Sequence, residues 1–275
     1  MKQRTRWSAL LLALTLALSL TVSAAAEETA DPVEEAIAAA ATFGGAVSIQ
    51  YALWQDGAVT DTGASGVYSK TENRALTEDI LYGIGSVSKI YTTVAVMQLA
   101  EQGKVSLDAP VTRYLKDFRM ADSRYKDITV RMLLNHSSGI MGTGLAGAIL
   151  FDDADPSATD GLLEALSTQR LIADPGAYSV YCNDGFTLAE LVVEAVSGMD
   201  FMDYVDRYIL DPIGLDDTYA PGGDFDTARL AKTYSGNSTE ALPVDSLNAI
   251  GAGGLYATAS DLASFGGALA GTTYP

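Results

Sequence analysis

The chain has very little cysteine and histidine. Its 275 residues include one cysteine and one histidine. A single cysteine excludes an intrachain disulfide and every zinc or iron–sulfur site that needs several cysteines. A single histidine excludes a three-histidine metal site and leaves His136 as the one candidate for a serine–histidine mechanism. We therefore expect no metal and no cofactor.

Positive charge is also scarce. Lys and Arg total 17 against 35 Asp and Glu, which gives a formal net charge of −18. Such a balance excludes the basic face of a nucleic-acid-binding protein and disfavours adsorption to an anionic membrane. The remaining composition, with 48% hydrophobic and 19% charged residues, is that of a globular protein able to bury a core.

A long apolar run occurs at the N-terminus. Lys2, Arg4 and Arg6 precede a nearly continuous apolar stretch over residues 7–22, and the small residues 24–26 follow. This order is typical of a signal peptide, so we predict that residues 1–26 are removed after Sec-dependent export. The alternative, an uncleaved membrane anchor, is disfavoured because a span needs about 20 apolar residues. The mature protein is then expected to be secreted or held in the cell envelope.

Residues 27–275 show no repeat and no biased linker, so we expect one domain. Asp31-Pro32 predicts the start of a helix that ends at Gly44-Gly45. Two strand-like runs, 46–54 and 58–66, flank Asp56-Gly57 and predict a β-hairpin.

Helical periodicity follows in several places. From Ser86, an apolar stripe of Ile90, Val94, Met97 and Leu99 predicts a long helix that ends near Gly103. The further predicted helices are 130–135, 161–170, 184–197 ending at Gly198, and one capped by Thr258 and Asp261.

Ser86-Val87-Ser88-Lys89 is a candidate nucleophile and base. At the start of a helix, residues three apart lie on one face, so the Lys89 amine can reach the Ser86 hydroxyl. A serine hydroxyl is a poor nucleophile while it keeps its proton, and a desolvated lysine can take that proton. The simpler interpretation is that Ser86 only caps the helix. A second Ser-x-x-Lys, Ser123 to Lys126, lies in a charged loop and lacks the long amphipathic helix.

Tyr181-Cys182-Asn183 is a second candidate motif. In an extended segment Tyr181 and Asn183 face one side and Cys182 the other, so a phenol and an amide could share a pocket while the thiol points inward. The alternative is a plain turn before a helix. His136 could instead act as a base, or could bond carbonyl groups at the end of a short helix.

These motifs occur within a longer pattern. Six stretches, in order along the chain, resemble the class C β-lactamase and penicillin-binding-protein-like family of serine hydrolases: 82–89, 103–108, 128–139, 175–183, 211–215 and 253–261. The resemblance implies an α+β fold, in which an antiparallel sheet flanked by helices lies beside a helical region with the site between them. It implies Ser86 as nucleophile, Lys89 and Tyr181 sharing the general-base work, and Asn183 orienting the substrate amide and Lys89.

Two departures from that family's pattern stand out. Cys182 occupies a position where the family usually has a small residue such as serine. The family's third motif, Lys-x-Gly or His-x-Gly on a strand, occurs nowhere in this sequence. By the resemblance, residues 27–275 are expected to form a domain incomplete at its C-terminus, without the last strands.

The sequence thus predicts an exported serine hydrolase that forms an acyl-serine intermediate on amide, peptide or ester substrates such as a β-lactam or a D-alanyl peptide. The alternatives are an esterase of the same fold, a non-catalytic binding module and a structural exported domain. The expected partner is a small-molecule or peptide substrate, with no nucleic acid and no stable membrane anchor, and the chain is expected to be a monomer. Ser235-Gly-Asn237 and Ser246-Leu-Asn248 are alternative second motifs.

Overall fold

The computed structural model describes residues 32–143, 149–151 and 160–271. The predicted signal peptide and its cleavage site lie outside these residues. Within the described ranges, no helix has both the length and the apolar character needed to cross a membrane.

A helix and a β-hairpin begin the described chain. Helix α1, Pro32–Gly44, leads into strands β1, Ser48–Gln55, and β2, Ala58–Gly66, which pair antiparallel. The connecting residues Asp56 and Gly57 have φ of 52° and 90°, as a two-residue hairpin turn with the strands' own twist requires. The hairpin predicted from Asp-Gly is confirmed, although β1 begins two residues later than expected.

Short strands and longer helices make up the remainder. In chain order they are β3 Tyr82–Gly83, α2 Ser88–Glu101, α3 Val130–Leu134, β4 Ile149–Phe151, α4 Asp160–Ser167, α5 Asn183–Ser197, α6 Phe201–Val205, α7 Asp211–Ile213, β5 Thr218–Tyr219, β6 Asp245–Leu247, β7 Tyr256–Ala257 and α8 Ala259–Leu269. Strand β7 pairs antiparallel with both β3 and β5, and β4 pairs antiparallel with β6. The predicted mixed α+β class is confirmed.

Helix α2 lies at the centre, packed against α5. The predicted apolar stripe is correct at Leu99, which is fully buried, and wrong at Ile90 and Met97, which are 43% and 46% exposed. The helix is apolar around most of its circumference, so the pattern does not select a buried face. Three polar residues, Ser88, Lys89 and Thr92, are buried instead, because each has hydrogen-bond partners in the interior.

Two predicted helix termini agree with the structure, whereas the helix predicted over 161–170 ends earlier, at Ser167. Gly198 follows α5 in the left-handed conformation, with φ of 72°, which glycine adopts without steric cost. The Thr258 hydroxyl accepts a hydrogen bond from the Asp261 N–H at the start of α8. Helix α8 then packs across the β1–β2 hairpin, and the core fills the space around α2 and α5.

Candidate active site

Ser86 lies in a short turn between β3 and α2. The predicted helix does not begin at Ser86: Gly85–Val87 forms a 3-10 turn, and α2 starts at Ser88. The buried Ser88 hydroxyl fixes this turn, because it donates to the Gly85 carbonyl oxygen at 2.8 Å and accepts from the Leu255 N–H at 3.1 Å. The turn is thereby tied to the segment that leads into β7.

Lys89 points from the first turn of α2 towards Ser86. Its Nζ is 3.3 Å from Ser86 Oγ and 2.7 Å from Asn183 Oδ1, and it also donates to the Ala252 carbonyl oxygen. These three acceptors match the three N–H groups of an ammonium. The Tyr181 ring, with its centroid 4.7 Å from Nζ, adds a cation–π contact. The buried ammonium is thus solvated by protein groups.

Tyr181 approaches Ser86 from the segment that precedes α5. Its hydroxyl donates to Ser86 Oγ at 2.5 Å. Burial acts to raise the pKa of the Tyr181 hydroxyl, but the hydrogen-bonding groups of Lys89 and Ser86 and the Lys89 charge outweigh it, so the pKa is lowered overall. A lowered pKa favours the phenolate, the form of tyrosine that can accept a proton.

Asn183, the first residue of α5, is oriented by contacts at both ends of its amide. Its Oδ1 accepts from Lys89, and its Nδ2 donates to Thr143 Oγ1 at 2.7 Å. Thr143 is exposed, so this amide N–H group lies on the solvent side of the site, where it could meet a substrate carbonyl.

The chain is similar to known proteins. The family model described as "Beta-lactamase" matches residues 33–275. The chain belongs to the beta-lactamase family. This confirms the resemblance inferred from the six ordered stretches.

Two curated relatives and one solved structure illustrate the range of the family. The chain is 31% identical to "Penicillin-binding protein 4" of Amycolatopsis lactamdurans over 55% of this chain and 39% of that protein. It is 32% identical to "Esterase EstB" of Burkholderia gladioli over 56% of this chain and 42% of that protein. A class C beta-lactamase structure superposes with a TM-score of 0.74 at 21% identity, over 87% of this chain and 64% of that one. That superposition confirms the β-lactamase-like fold, and the matches span less than half of either curated relative.

Within this family fold, Cys182 is directed away from the reacting groups. The segment is extended at Cys182, whose side chain is buried and caps α5 by accepting from the Gly185 N–H at 3.3 Å. The thiol also donates to the Gly142 carbonyl oxygen at 3.3 Å. Burial raises the pKa of the thiol, so it resists ionisation. The prediction that Cys182 points inward is confirmed, and its neighbours Tyr181 and Asn183 contact Ser86 and Lys89.

His136 supports the Tyr181 segment. Its Nδ1 accepts a hydrogen bond from the Cys182 N–H at 3.1 Å, and its ring packs against that of Tyr181 with centroids 4.5 Å apart. The structure thus shows Nδ1 accepting a hydrogen bond from a backbone N–H, where the expectation was of a ring that donates to carbonyl groups. Burial, with a smaller effect of the Lys89 charge, lowers the pKa of His136 and favours the neutral ring that this bond requires.

The rival motifs lie elsewhere in the described chain. Ser123 and Lys126 are both exposed, in the 3-10 turn Ser123–Asp127. Ser246 lies within β6, paired with β4, and Tyr181 and Asn183 are the residues that reach Ser86 and Lys89. In the part of the chain that the structure describes, no group of three His, Cys, Asp or Glu could hold a metal.

Sequence reasoning missed two members of the site. One is the Ala252 carbonyl, the third acceptor for Lys89, and the other is Thr143, the partner of Asn183. The glycine-rich run 251–254 was the one available signal for the first, since glycines permit close approach of backbone. Thr143 carried no sequence signal.

Proposed function

We propose that the protein is an exported serine hydrolase whose domain, within residues 27–275, forms an acyl-serine intermediate at Ser86. The observation that carries this proposal is the convergence of the Tyr181 hydroxyl, at 2.5 Å, and the Lys89 amine, at 3.3 Å, on Ser86 Oγ. A serine hydroxyl becomes an effective nucleophile when such groups take its proton.

The geometry suggests how the two groups divide the general-base work. With all three Lys89 N–H groups donating, this residue is an ammonium in the described arrangement. Once Tyr181 has lost its hydroxyl proton, the phenolate that Lys89 stabilises accepts the Ser86 proton while Ser86 Oγ bonds to the substrate carbonyl carbon. The proton then passes to the leaving amine or alcohol. In the second half-reaction Tyr181 accepts a proton from water as the water oxygen bonds to the acyl carbon. Tyr181 then gives that proton to Ser86 Oγ as the bond between the acyl carbon and Oγ breaks, which releases the product acid and restores the serine hydroxyl.

The substrate class follows from what an acyl-serine requires, a carbonyl with a leaving group. One relative is named a penicillin-binding protein and another an esterase, and both names support a substrate of this kind. We propose a β-lactam or a D-alanyl peptide first, because Asn183 offers an amide N–H to a substrate amide. An ester is the second candidate, supported by the similarity to EstB.

Export is proposed from the charged and apolar pattern of residues 1–26. N-terminal sequencing of the protein recovered outside the producing cells should begin near Glu27. An exported protein that retains Met1 would contradict cleavage.

Labelling with two reactive acyl donors, a fluorescent penicillin and a p-nitrophenyl ester, tests the proposed chemistry. The wild type should become covalently labelled by at least one, and Ser86→Ala should not. Ser123→Ala, which removes the serine of the exposed second motif, is the matched control and should label like the wild type. A wild type that reacts with neither donor would contradict the proposal and favour a structural or non-catalytic module.

A further inference from the structure

The turn Ile250–Gly254 supplies the Ala252 carbonyl that binds Lys89. This segment is not a regular helix, since Gly253 has an extended backbone with φ of 175°. Its position therefore depends on contacts with its surroundings rather than on a continuous ladder of backbone hydrogen bonds. Side chains from α2 and α5 provide those contacts.

Glu190 of α5 is one of them. It follows Asn183 by seven residues, or two helical turns, so both side chains lie on one face of the helix. Glu190 is 3% exposed, and its Oε2 accepts a hydrogen bond from the Gly251 N–H at 2.8 Å. One face of α5 thus contacts Lys89 through Asn183. Through Glu190, the same face contacts the turn whose Ala252 carbonyl also binds Lys89.

Thr92 of α2 contacts the same residue, Gly251. Its hydroxyl donates to the Gly251 carbonyl oxygen at 2.8 Å. A Cβ at position 251 would lie 2.8 Å from Thr92 Oγ1 and 3.0 Å from Glu190 Oε2, closer than carbon and oxygen normally approach. A glycine at position 251 therefore lets the backbone fit between the two side chains. The next residue, Ala252, carries the carbonyl that binds Lys89.

A buried carboxyl group is an expensive way to fill this space. Removing a carboxyl group from water costs free energy unless the group is hydrogen-bonded, whereas burying an apolar side chain is favourable. Burial raises the pKa of Glu190 to about 8, so at neutral pH the group is mostly uncharged. A neutral carboxyl can still accept the hydrogen bond from the Gly251 N–H.

We propose that Glu190 is a positioning residue for the reaction: by holding the Gly251 N–H it sets the Ala252 carbonyl, and through it the Lys89 ammonium beside Ser86. This inference rests on the proposed function, because its consequence is measured as acylation of Ser86. A turn released from Glu190 would let Lys89 shift towards Ala252 or away from Ser86, and a displacement of about 1 Å in such a site can reduce a rate by about 100-fold.

Two substitutions separate the acceptor from the bulk of the side chain. Glu190→Gln keeps an oxygen acceptor and carries no charge, whereas Glu190→Leu keeps comparable volume and removes the acceptor. Glu194→Leu is the matched control: Glu194 lies one turn further along α5, and its Oε1 accepts from the Phe201 N–H at 3.0 Å, beside α6 rather than the turn. Each protein is acylated with the p-nitrophenyl ester over a range of concentrations and pH.

We expect Glu190→Leu to lower the limiting acylation rate by about 10- to 100-fold while the half-saturating ester concentration changes little. The rise of its acylation rate with pH should move to higher pH, because a displaced Lys89 stabilises the Tyr181 phenolate less. Glu190→Gln should keep most of the wild-type acylation rate and the wild-type dependence of that rate on pH. Glu194→Leu should lower thermal stability but keep the rate per folded molecule.

The outcomes separate this inference from the proposed function. A wild type that is not acylated contradicts the proposed function itself. An acylated wild type whose Glu190→Leu variant matches it in limiting rate and pH profile overturns the positioning role. If Glu190→Leu does not fold, Glu190→Asp, which withdraws the acceptor by one methylene, takes its place: a rate well below that of Glu190→Gln supports the proposal, and equal rates overturn it.

Discussion

Replacing Tyr181 by phenylalanine removes one oxygen atom and leaves the rest of the site in place. That oxygen lies 2.5 Å from Ser86 Oγ. The ring that remains still packs against His136, at 4.5 Å between centroids, and still faces the Lys89 ammonium at 4.7 Å. Because Tyr181 is 52% exposed, the substitution creates no buried cavity, and the free energy of unfolding should change by less than about 0.5 kcal/mol.

The expected effect on acylation is much larger. A positioned general base contributes about 10²- to 10⁴-fold, which corresponds to about 3 to 5 kcal/mol of transition-state stabilisation. Lys89 stays 3.3 Å from Ser86 Oγ and can accept a proton once it has lost one of its own, so we expect a loss near the lower end, about 10²- to 10³-fold.

The pH dependence gives a second, independent signature. The pKa of Tyr181 lies below its ordinary value, and the base is the deprotonated form. Wild-type acylation should therefore rise with pH through the pKa of Tyr181, below the range of a free tyrosine, and Tyr181→Phe should lack that rise.

The assay follows the fraction of acylated protein with time by intact-protein mass spectrometry, which does not depend on the colour of the leaving group. Tyr178→Phe is the matched control, because Tyr178 lies three residues earlier and is 55% exposed; it should acylate like the wild type. A Tyr181→Phe variant within about threefold of the wild-type rate, with the same pH limb, would refute the assignment of Tyr181 as a base.

The remaining predictions concern stability and the thiol. Gly267→Ala should destabilise the fold by about 1–2 kcal/mol, because the new Cβ would lie 2.1 Å from Trp54 Cε2. Gly266→Ala, its neighbour on α8, meets nothing within 4 Å and should stabilise by about 0.5–1 kcal/mol; thermal melts in which both variants shift alike would contradict this packing. Cys182→Ser should keep the helix cap and most of the acylation rate, and inactivation of the wild type by a small thiol reagent should be slow; rapid inactivation blocked by substrate would place the thiol in the pocket. Since the pKa of Glu190 is raised from 4.5 to about 8, the folded state holds a proton that the unfolded state has lost between these values. As pH rises through that window, the free energy of unfolding of the wild type should therefore fall relative to that of Glu190→Gln. Denaturant unfolding of both proteins measures this difference, and parallel pH dependences would contradict the burial of a neutral carboxyl.

Local chemistry made several elements predictable from the sequence. The Asp56-Gly57 pair specified the hairpin because both residues tolerate positive φ. Gly198 specified the end of α5 for the same reason. Helical spacing placed Lys89 beside Ser86, and strand alternation separated Tyr181 from Cys182, since both rules follow from backbone geometry alone.

The features that the sequence did not reveal depend on tertiary contacts. The apolar residues of α2 did not reveal its buried face, because Ile90 and Met97 are exposed while Lys89 is buried. Ala252 takes part through its carbonyl oxygen, 163 residues from Lys89 along the chain, and a backbone group has no residue type by which to recognise it. Nothing in the sequence indicates that Glu190 is buried. Only the packing of α5 against the turn Ile250–Gly254 shows it.

The most direct test of the account is the location of the acyl group after the protein has reacted with the fluorescent penicillin or the p-nitrophenyl ester. Peptide mapping by mass spectrometry should find one acyl group per molecule, on the peptide that contains Ser86. Its yield should be strongly reduced in Lys89→Ala and nearly unchanged in His136→Ala. An adduct on another residue, or one lost in His136→Ala and kept in Lys89→Ala, would contradict a serine nucleophile served by Lys89 and Tyr181.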